Sequence, residues 1–403
     1  MPAATLDLAR VRSAFPSLDL GVAHFDGPGG SQVPTPVAEA VAAAMTAGLC
    51  QRGSASETER RTDAVVTEAR SAIADLLGGE PGGVVFGRSM TQLTFDLART
   101  LSRAWGPGDE VVVTRLDHDA NIRPWVLAAE RAGATVRWLD FDPETAELDD
   151  IESVLSTRTR LVAVTAASNL FGTRPDVRAI ADAAHEVDAL VHVDGVHLAP
   201  HAPVDLNGLG ADFLACSPYK FFGPHLGTLT ASPRLLDTLH PDKLLPSSDA
   251  VPERFELGTL PYELLAGVTA AVDFIAGLVP GEGPRRDRIL VSMHAVEAAE
   301  AALLTRLLDG LTALDGVTVH GRPGRRTPTA LFSVDGLAGR EVHAKLAAIG
   351  VNAPASTFYA IEASRRAGLG DEGAVRAGIA PYTSPDDVDR LLEGVAGLVG
   401  GAR

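Results

Sequence analysis

Between about residues 84 and 232, short β-rich runs alternate with longer amphipathic stretches, and this rhythm constrains the fold more than any other feature of the chain. The runs are VVF (84–86), EVVVT (110–114), TVRWLDF (135–141), RLVAVTA (160–166), LVHVDG (190–195), DFLACS (212–217) and GTLTAS (227–232). Most are apolar nearly throughout, which is how a strand reads when both of its faces are covered. Helical patterns such as TFDLARTLSRAW (94–105), WVLAAERAG (125–133) and VRAIADAAHEVDA (177–189) separate them. The alternation predicts an α/β fold with a mainly parallel sheet between helices. The short connection between the last two runs leaves room for one antiparallel strand.

The rhythm changes after residue 280. GEGPRRDR (281–288) is a Gly/Pro/charge break, followed by a helical pattern through Leu308, the runs VTVHG (317–321) and ALFSVDG (330–336), and helices over 340–349 and 385–399. The expected division is a large domain over 21–279 and a small C-terminal α+β domain over 280–403, the latter joined by N-terminal residues 1–20. At 46% hydrophobic and 22% charged residues, the chain has enough apolar side chains for a large core, which argues against disorder. A net charge of −17 repels nucleic acid and anionic membrane, so neither is expected as a partner. Two cysteines, Cys50 and Cys216, make no disulfide framework. The N-terminal stretch lacks a secretory pattern, and the apolar run 264–279 carries Asp273 and is too short to span a bilayer. The expected location is cytoplasmic.

Chemistry concentrates between Leu190 and Gly227. The run LVHVDG ends in Asp194, His197 follows, and DFLACS leads into SPYKFFGPHLG (217–227), which contains Lys220. In an α/β sheet, ligands gather at the carboxyl ends of the strands, where Asp194 and Lys220 fall. A partly buried lysine loses its proton easily and can form an imine with an aldehyde. A carboxylate facing a pyridine nitrogen keeps that ring an electron sink, so the pair suits pyridoxal 5′-phosphate (PLP). Taken alone, two such residues are more often a turn lysine and a strand-end cap than a cofactor site. GRSMTQ (87–92) follows a strand and opens a helix, so its N–H groups suit an anion such as phosphate. His197 and His201 raise a metal reading, but Pro200 interrupts the helix that would align them, and no metal is expected.

Five ordered segments carry a resemblance. SPYKFFGPHLG with VDGVH (193–197) upstream, DHDANIRPW (117–125), ASNLFGT (167–173), RFELGT (254–259) and AVRAGIAPYTSPDDVD (374–389) resemble the class V aminotransferases of PLP fold type I. The likeness is to their cysteine desulfurase-like and isopenicillin N epimerase-like group. The resemblance implies a seven-stranded large domain and PLP held as a Schiff base on Lys220. It places Asp194 at the ring nitrogen, His118 stacked on the ring, and Asn169 and His197 near the phenolic oxygen. Ser89, Met90 and Thr91 fall in the phosphate loop, with Met90 where a threonine is usual, and Ser217 adds a hydroxyl. Tyr219 stands where desulfurases carry histidine. Arg376 would grip the substrate carboxylate, Asn169 would lie near the substrate, and Thr259 would reach the neighbouring subunit's phosphate in a homodimer. HFDGPGGSQVPTPV (24–37) resembles a substrate-side segment, and RGSASETERRTD (52–63) suits either a dimer contact or a solvated helix start.

One departure narrows the activity. The loop that bears the persulfide cysteine in desulfurases corresponds to APASTFYAIEASRRAG (353–368), which contains no cysteine. Lys220 would still remove a Cα proton from an amino acid. The resulting expectation is a C–S β-lyase acting on cysteine or an S-substituted cysteine without its own persulfide. Transamination and epimerisation are the alternatives within the same chemistry. A catalytically inactive binding or regulatory protein is the alternative outside it, and the retained Lys220, Asp194, His118 and Arg376 argue against that.

Overall fold

A computed structural model describes residues 5–400; residues 1–4 of the N-terminal segment and 401–403 of the C-terminal domain lie outside it. The large sheet has seven strands in the spatial order Val84–Gly87, Gly227–Ala231, Phe213–Cys216, Leu190–Asp194, Thr159–Thr165, Glu110–Thr114 and Thr135–Leu139. Gly227–Ala231 runs antiparallel to both its neighbours, and the pairs across the other five strands are parallel. This is the mostly parallel sheet with one antiparallel member that the sequence predicts. TVRWLDF ends as a ladder at Leu139, and Phe141 makes only an isolated bridge to Leu148.

Period-2 alternation explains why these strands read as continuous apolar runs. Val112, Val162, Val164, Val191, Val193 and Leu214 face one core, with the helices Glu57–Leu77, Val177–His185 and Tyr262–Ala276. Val111, Val113, Leu161, Ala163, Phe213 and Ala215 face the other, with Met90–Leu101 and Arg123–Ala132. Both faces are dry, so neither residue parity is polar.

The second sheet is antiparallel, in the order Ala355–Ser356, Ala374–Gly378, Thr329–Val334 and Val317–His320. A two-residue parallel pair joins Ala23–His24 to Val351–Asn352. The chain passes between the two bodies more than once. Val11 and Phe15 pack in the core of the large sheet, whereas Ala23 and Phe25 pack with the second sheet. The helix Arg285–Thr312 starts against the first core through Ile289, Met293 and Val296 and ends against the second through Leu304, Leu307 and Leu311. Among the described residues, no helix is long and apolar enough to cross a membrane.

A buried ion pair fixes the strand that leads into the site. Arg70 donates to both oxygens of Glu256 at 2.9 Å, and Glu256 also accepts the Phe86 N–H at 2.9 Å. Arg70 is 5% exposed, so removing Glu256 leaves a buried cation with only the longer, 3.5 Å carboxylate contact to Glu253 among the described residues. Glu256→Ala is expected to cost about 3–5 kcal/mol, read as a fall in Tm with no comparable effect from Glu57→Ala on the exposed start of the same helix.

Candidate active site

The carboxyl ends of the strands deliver the site residues. Thr165, Asp194 and Ala215 lie side by side across three strands, and Phe213–Cys216 runs on into a tight turn, Pro218–Lys220. From Glu110–Thr114 the chain continues to Asp117 and His118, and from Val84–Gly87 to the helix Met90–Leu101. Ser89 caps that helix by accepting the Gln92 N–H at 3.1 Å, so it begins earlier than the apolar periodicity at 94 suggests. Gly227 lies beneath its first turn: a Cβ there would come within 2.1 Å of the Met90 nitrogen. Only glycine lets the sheet approach the helix N-terminus so closely.

Lys220, His118, Thr91, Asn169 and Arg376 line one cavity of about 580 Å³, together with Pro28, Gly29, Phe95, Tyr219, Phe358 and Tyr359. Lys220 Nζ donates to the Pro28 carbonyl, so the Gly-rich turn 27–30 lies directly against it. Burial, with Arg376 nearby, lowers the Lys220 pKa to about 7, although Asp194 pulls the other way. Burial raises the Asp194 pKa to about 6 against its bond from the Val196 N–H, at 2.9 Å, and the charge of Lys220. Burial, Lys220 and Arg376 lower His118 to about 4, so its ring is neutral at pH 7.

The turn carrying His118 is anchored from below. Asp117 is fully buried and accepts hydrogen bonds from Thr114, from Asn121 Nδ2 at 2.6 Å and from the Thr165 N–H at 3.0 Å. Asn121 Oδ1 accepts from Trp125 Nε1 at 3.2 Å and lies 2.8 Å from His192 Nδ1. The Asn and Trp of DHDANIRPW therefore hold the turn and do not line the cavity. Asn121→Ala strands three buried polar groups and is expected to cost about 2–4 kcal/mol, checked by thermal unfolding.

The other expected residues divide. Asn169 Nδ2 donates to the Phe358 carbonyl at 2.9 Å, while its Oδ1 is buried without a partner. His197 lies behind the cavity, its Nε2 3.0 Å from Thr329 Oγ1 and its Nδ1 buried and unpartnered. His201 pairs with Glu300 at 3.0 Å. Ser217 is buried at the start of the lysine turn. The Met90 side chain packs in the core with Leu93 and Leu97, which leaves its backbone as the part available at the helix N-terminus. Thr259 is exposed and outside the cavity of its own chain. The stretch 52–63 starts a helix with a Ser56–Glu59 capping box.

Arg376 is the most informative group. It is 2% exposed, and no carboxylate among the described residues lies within ion-pair distance. Nη1 donates to the Asn169 carbonyl at 2.8 Å, and Nε is buried with no partner. The Nε–Nη2 edge of a guanidinium is the fork that fits a carboxylate. A buried cation with that fork unfilled is built for an anion from outside the chain.

The class-V aminotransferase profile matches residues 23–391. This chain belongs to that family. It is 37% identical to an uncharacterized protein of Mycobacterium tuberculosis over 97% of this chain and 99% of the relative. It is 32% identical to a probable cysteine desulfurase of Mycobacterium leprae over 97% of this chain and 96% of the relative. The structure is similar to that of the cysteine desulfurase CsdA of Escherichia coli, with a TM-score of 0.86, 25% identity, and 98% and 99% of the two chains covered. The chain is thus a class-V aminotransferase family protein of the cysteine desulfurase-like kind, and the family uses PLP.

The residues present fit that cofactor. A neutralisable lysine, a buried carboxylate, an open helix N-terminus and the unpartnered polar atoms of Asn169 and His197 are the donors and acceptors such a group requires. Within the family's frame, the 353–368 loop carries Phe358 and Tyr359 over the cavity and no thiol. These two aromatic residues escaped the motif reading, and the aromatic pair in an otherwise small and polar loop was their only signal. Cys216 is fully buried and its thiol pKa is pushed up, so it is not a nucleophile; Cys50 is exposed and does not line the cavity.

Proposed function

We propose that the protein is a PLP enzyme that removes the Cα proton of an α-amino acid and expels a sulfur substituent from its β-carbon. The substrate is cysteine or an S-substituted cysteine, and the protein supplies no persulfide cysteine of its own. The single observation that carries the reading is the pairing, in one cavity, of Lys220 with a pKa near 7 and Arg376 with its carboxylate fork unfilled.

Lys220 would hold the cofactor, and Asp194 would hold the proton on its ring nitrogen; when bound, the cofactor supplies an electron sink for the pair left on Cα. Arg376 would orient the substrate by its carboxylate, which brings Cα toward Lys220 Nζ. With its pKa lowered to about 7, Lys220 would be available as a neutral base near physiological pH and would take the Cα proton. Neutral His118 would cover the ring without adding a competing positive charge. The N-terminus of Met90–Leu101 with Ser89 and Thr91 would take the phosphate. Thr259 would serve a second copy of the chain; exposed Leu257 beside it, at 54%, and Leu245, at 96%, support a homodimeric contact there.

Covalent capture of PLP by the apoprotein requires the neutral amine. A depressed pKa makes that form available above about pH 7, so the capture rate is expected to rise about tenfold per pH unit below 7 and to level off above it. A rate still climbing tenfold per unit at pH 9 would show an ordinary lysine. For the reaction, the holoenzyme is incubated with cysteine, S-methylcysteine and alanine, and thiol or sulfide, keto acid and chirality are assayed. Thiol release with pyruvate supports the lyase; amino-group transfer or racemisation with no sulfur released refutes it.

A further inference from the structure

The loop between Ala355–Ser356 and the helix Ile361–Arg366 leaves the smaller sheet to line the cavity and sets aromatic rings against two site residues. The Arg376 guanidinium carbon lies 3.7 Å from the centroid of the Phe358 ring, close enough for face-to-face stacking. Tyr359 stacks on His118 at 5.5 Å and 27°. Both aromatic residues hold left-handed backbone, Phe358 at φ 52° and Tyr359 at φ 60°. Such conformations are unfavourable for residues with a Cβ and persist where the surroundings impose them.

Here the surroundings are the site itself. Asn169 closes a small ring of contacts, because its carbonyl accepts Arg376 Nη1 at 2.8 Å while its side chain donates to the Phe358 carbonyl at 2.9 Å. The next carbonyl, of Tyr359, accepts the Asp119 N–H at 2.8 Å. Gly29 borders the remaining side of the guanidinium, where a Cβ would lie 3.7 Å from Nη2. One face of Arg376 is thus covered by a ring and one nitrogen is tied down, while buried Nε makes no bond.

We propose that Phe358 is a positioning residue for substrate recognition: its ring fixes the plane of Arg376 so that the Nε–Nη2 edge faces an incoming α-carboxylate. A guanidinium gains from two parallel hydrogen bonds only when its plane contains both acceptor oxygens, so fixing the plane raises affinity without a new contact to the ligand. The inference rests on the reading of Arg376 as the carboxylate receptor. The loop of this chain thereby serves recognition at the position where the desulfurase-like pattern has a sulfur carrier.

The test uses the holoenzyme and two ligands that lack an amine and undergo no reaction, 3-(methylthio)propanoate and the matching amide, with affinities measured by calorimetry. The wild type is expected to prefer the acid by at least about tenfold. Phe358→Ala and Phe358→Gly are expected to lower that preference by about tenfold, while Phe358→Tyr holds it within about twofold and PLP affinity is unchanged in all three. The glycine variant separates the ring from the backbone, since glycine accepts φ 52° without strain. An acid preference kept by both Phe358→Ala and Phe358→Gly, or restored by Phe358→Gly alone, overturns the positioning role. If Arg376→Ala also leaves the preference intact, or the wild type shows none, the carboxylate reading itself fails and the inference falls with it.

Discussion

Lys220→Ala is expected to lower turnover of any amino acid substrate by about a thousandfold or more, because one side chain serves two functions. On the proposed reading it would attach the cofactor and would also be the base nearest the Cα proton. The variant should still bind PLP through the helix N-terminus and Asp194, but without a covalent bond. Lys220→Arg separates charge from basicity: it keeps a cation in the cavity yet cannot become neutral near pH 7, so it should be as inactive as alanine. Stopped-flow turnover with S-methylcysteine checks both. An active arginine variant would show that Lys220 acts as a fixed charge.

Arg376→Ala is the second large effect. Loss of a buried fork that meets a carboxylate should raise KM for α-amino acids by about a hundredfold. Arg376→Lys should recover only part of it, because an ammonium cannot make the two parallel bonds. The substitution also has an electrostatic consequence at a distance. Arg376 is a cation that depresses the Lys220 pKa, so removing it should move the pH dependence of cofactor capture upward, toward the ordinary lysine range. The sign is decisive: a receptor acting only by contact would change KM and leave the capture profile in place. The profile of the apoprotein, followed by absorbance between pH 6 and 10, makes the comparison.

The large sheet was legible because its strands are short and dry on both faces, and the short connection between the last two runs left room for one antiparallel member, which the structure shows to be Gly227–Ala231. Lys220, Asp194, His118 and Arg376 were legible because their segments keep a fixed order along 403 residues, and the structure brings the lysine, histidine and arginine to one cavity. What escaped depends on contacts between distant segments. The Asp117–Asn121–Trp125 anchor joins three strands from within one motif, and nothing in its letters distinguishes a residue under the sheet from one above it. Met90 reads as a phosphate-loop residue, yet its side chain turns to the core because the first turn of its helix faces the sheet. Phe358, in a loop, acquires meaning only beside Arg376, which is 18 residues further along the chain on the strand Ala374–Gly378. Phe15 and Phe25, ten residues apart, enter different cores because the chain crosses between the two bodies there.

The central claim is that Lys220 is the covalent anchor of the cofactor. Its most direct measurement is borohydride reduction of the PLP-loaded protein followed by peptide mass analysis. The predicted result is one reduced pyridoxyl group per chain on the peptide that contains Lys220, with none in Lys220→Ala. Labelling of Lys243 or Lys345 instead, or no label on protein saturated with PLP, would contradict it.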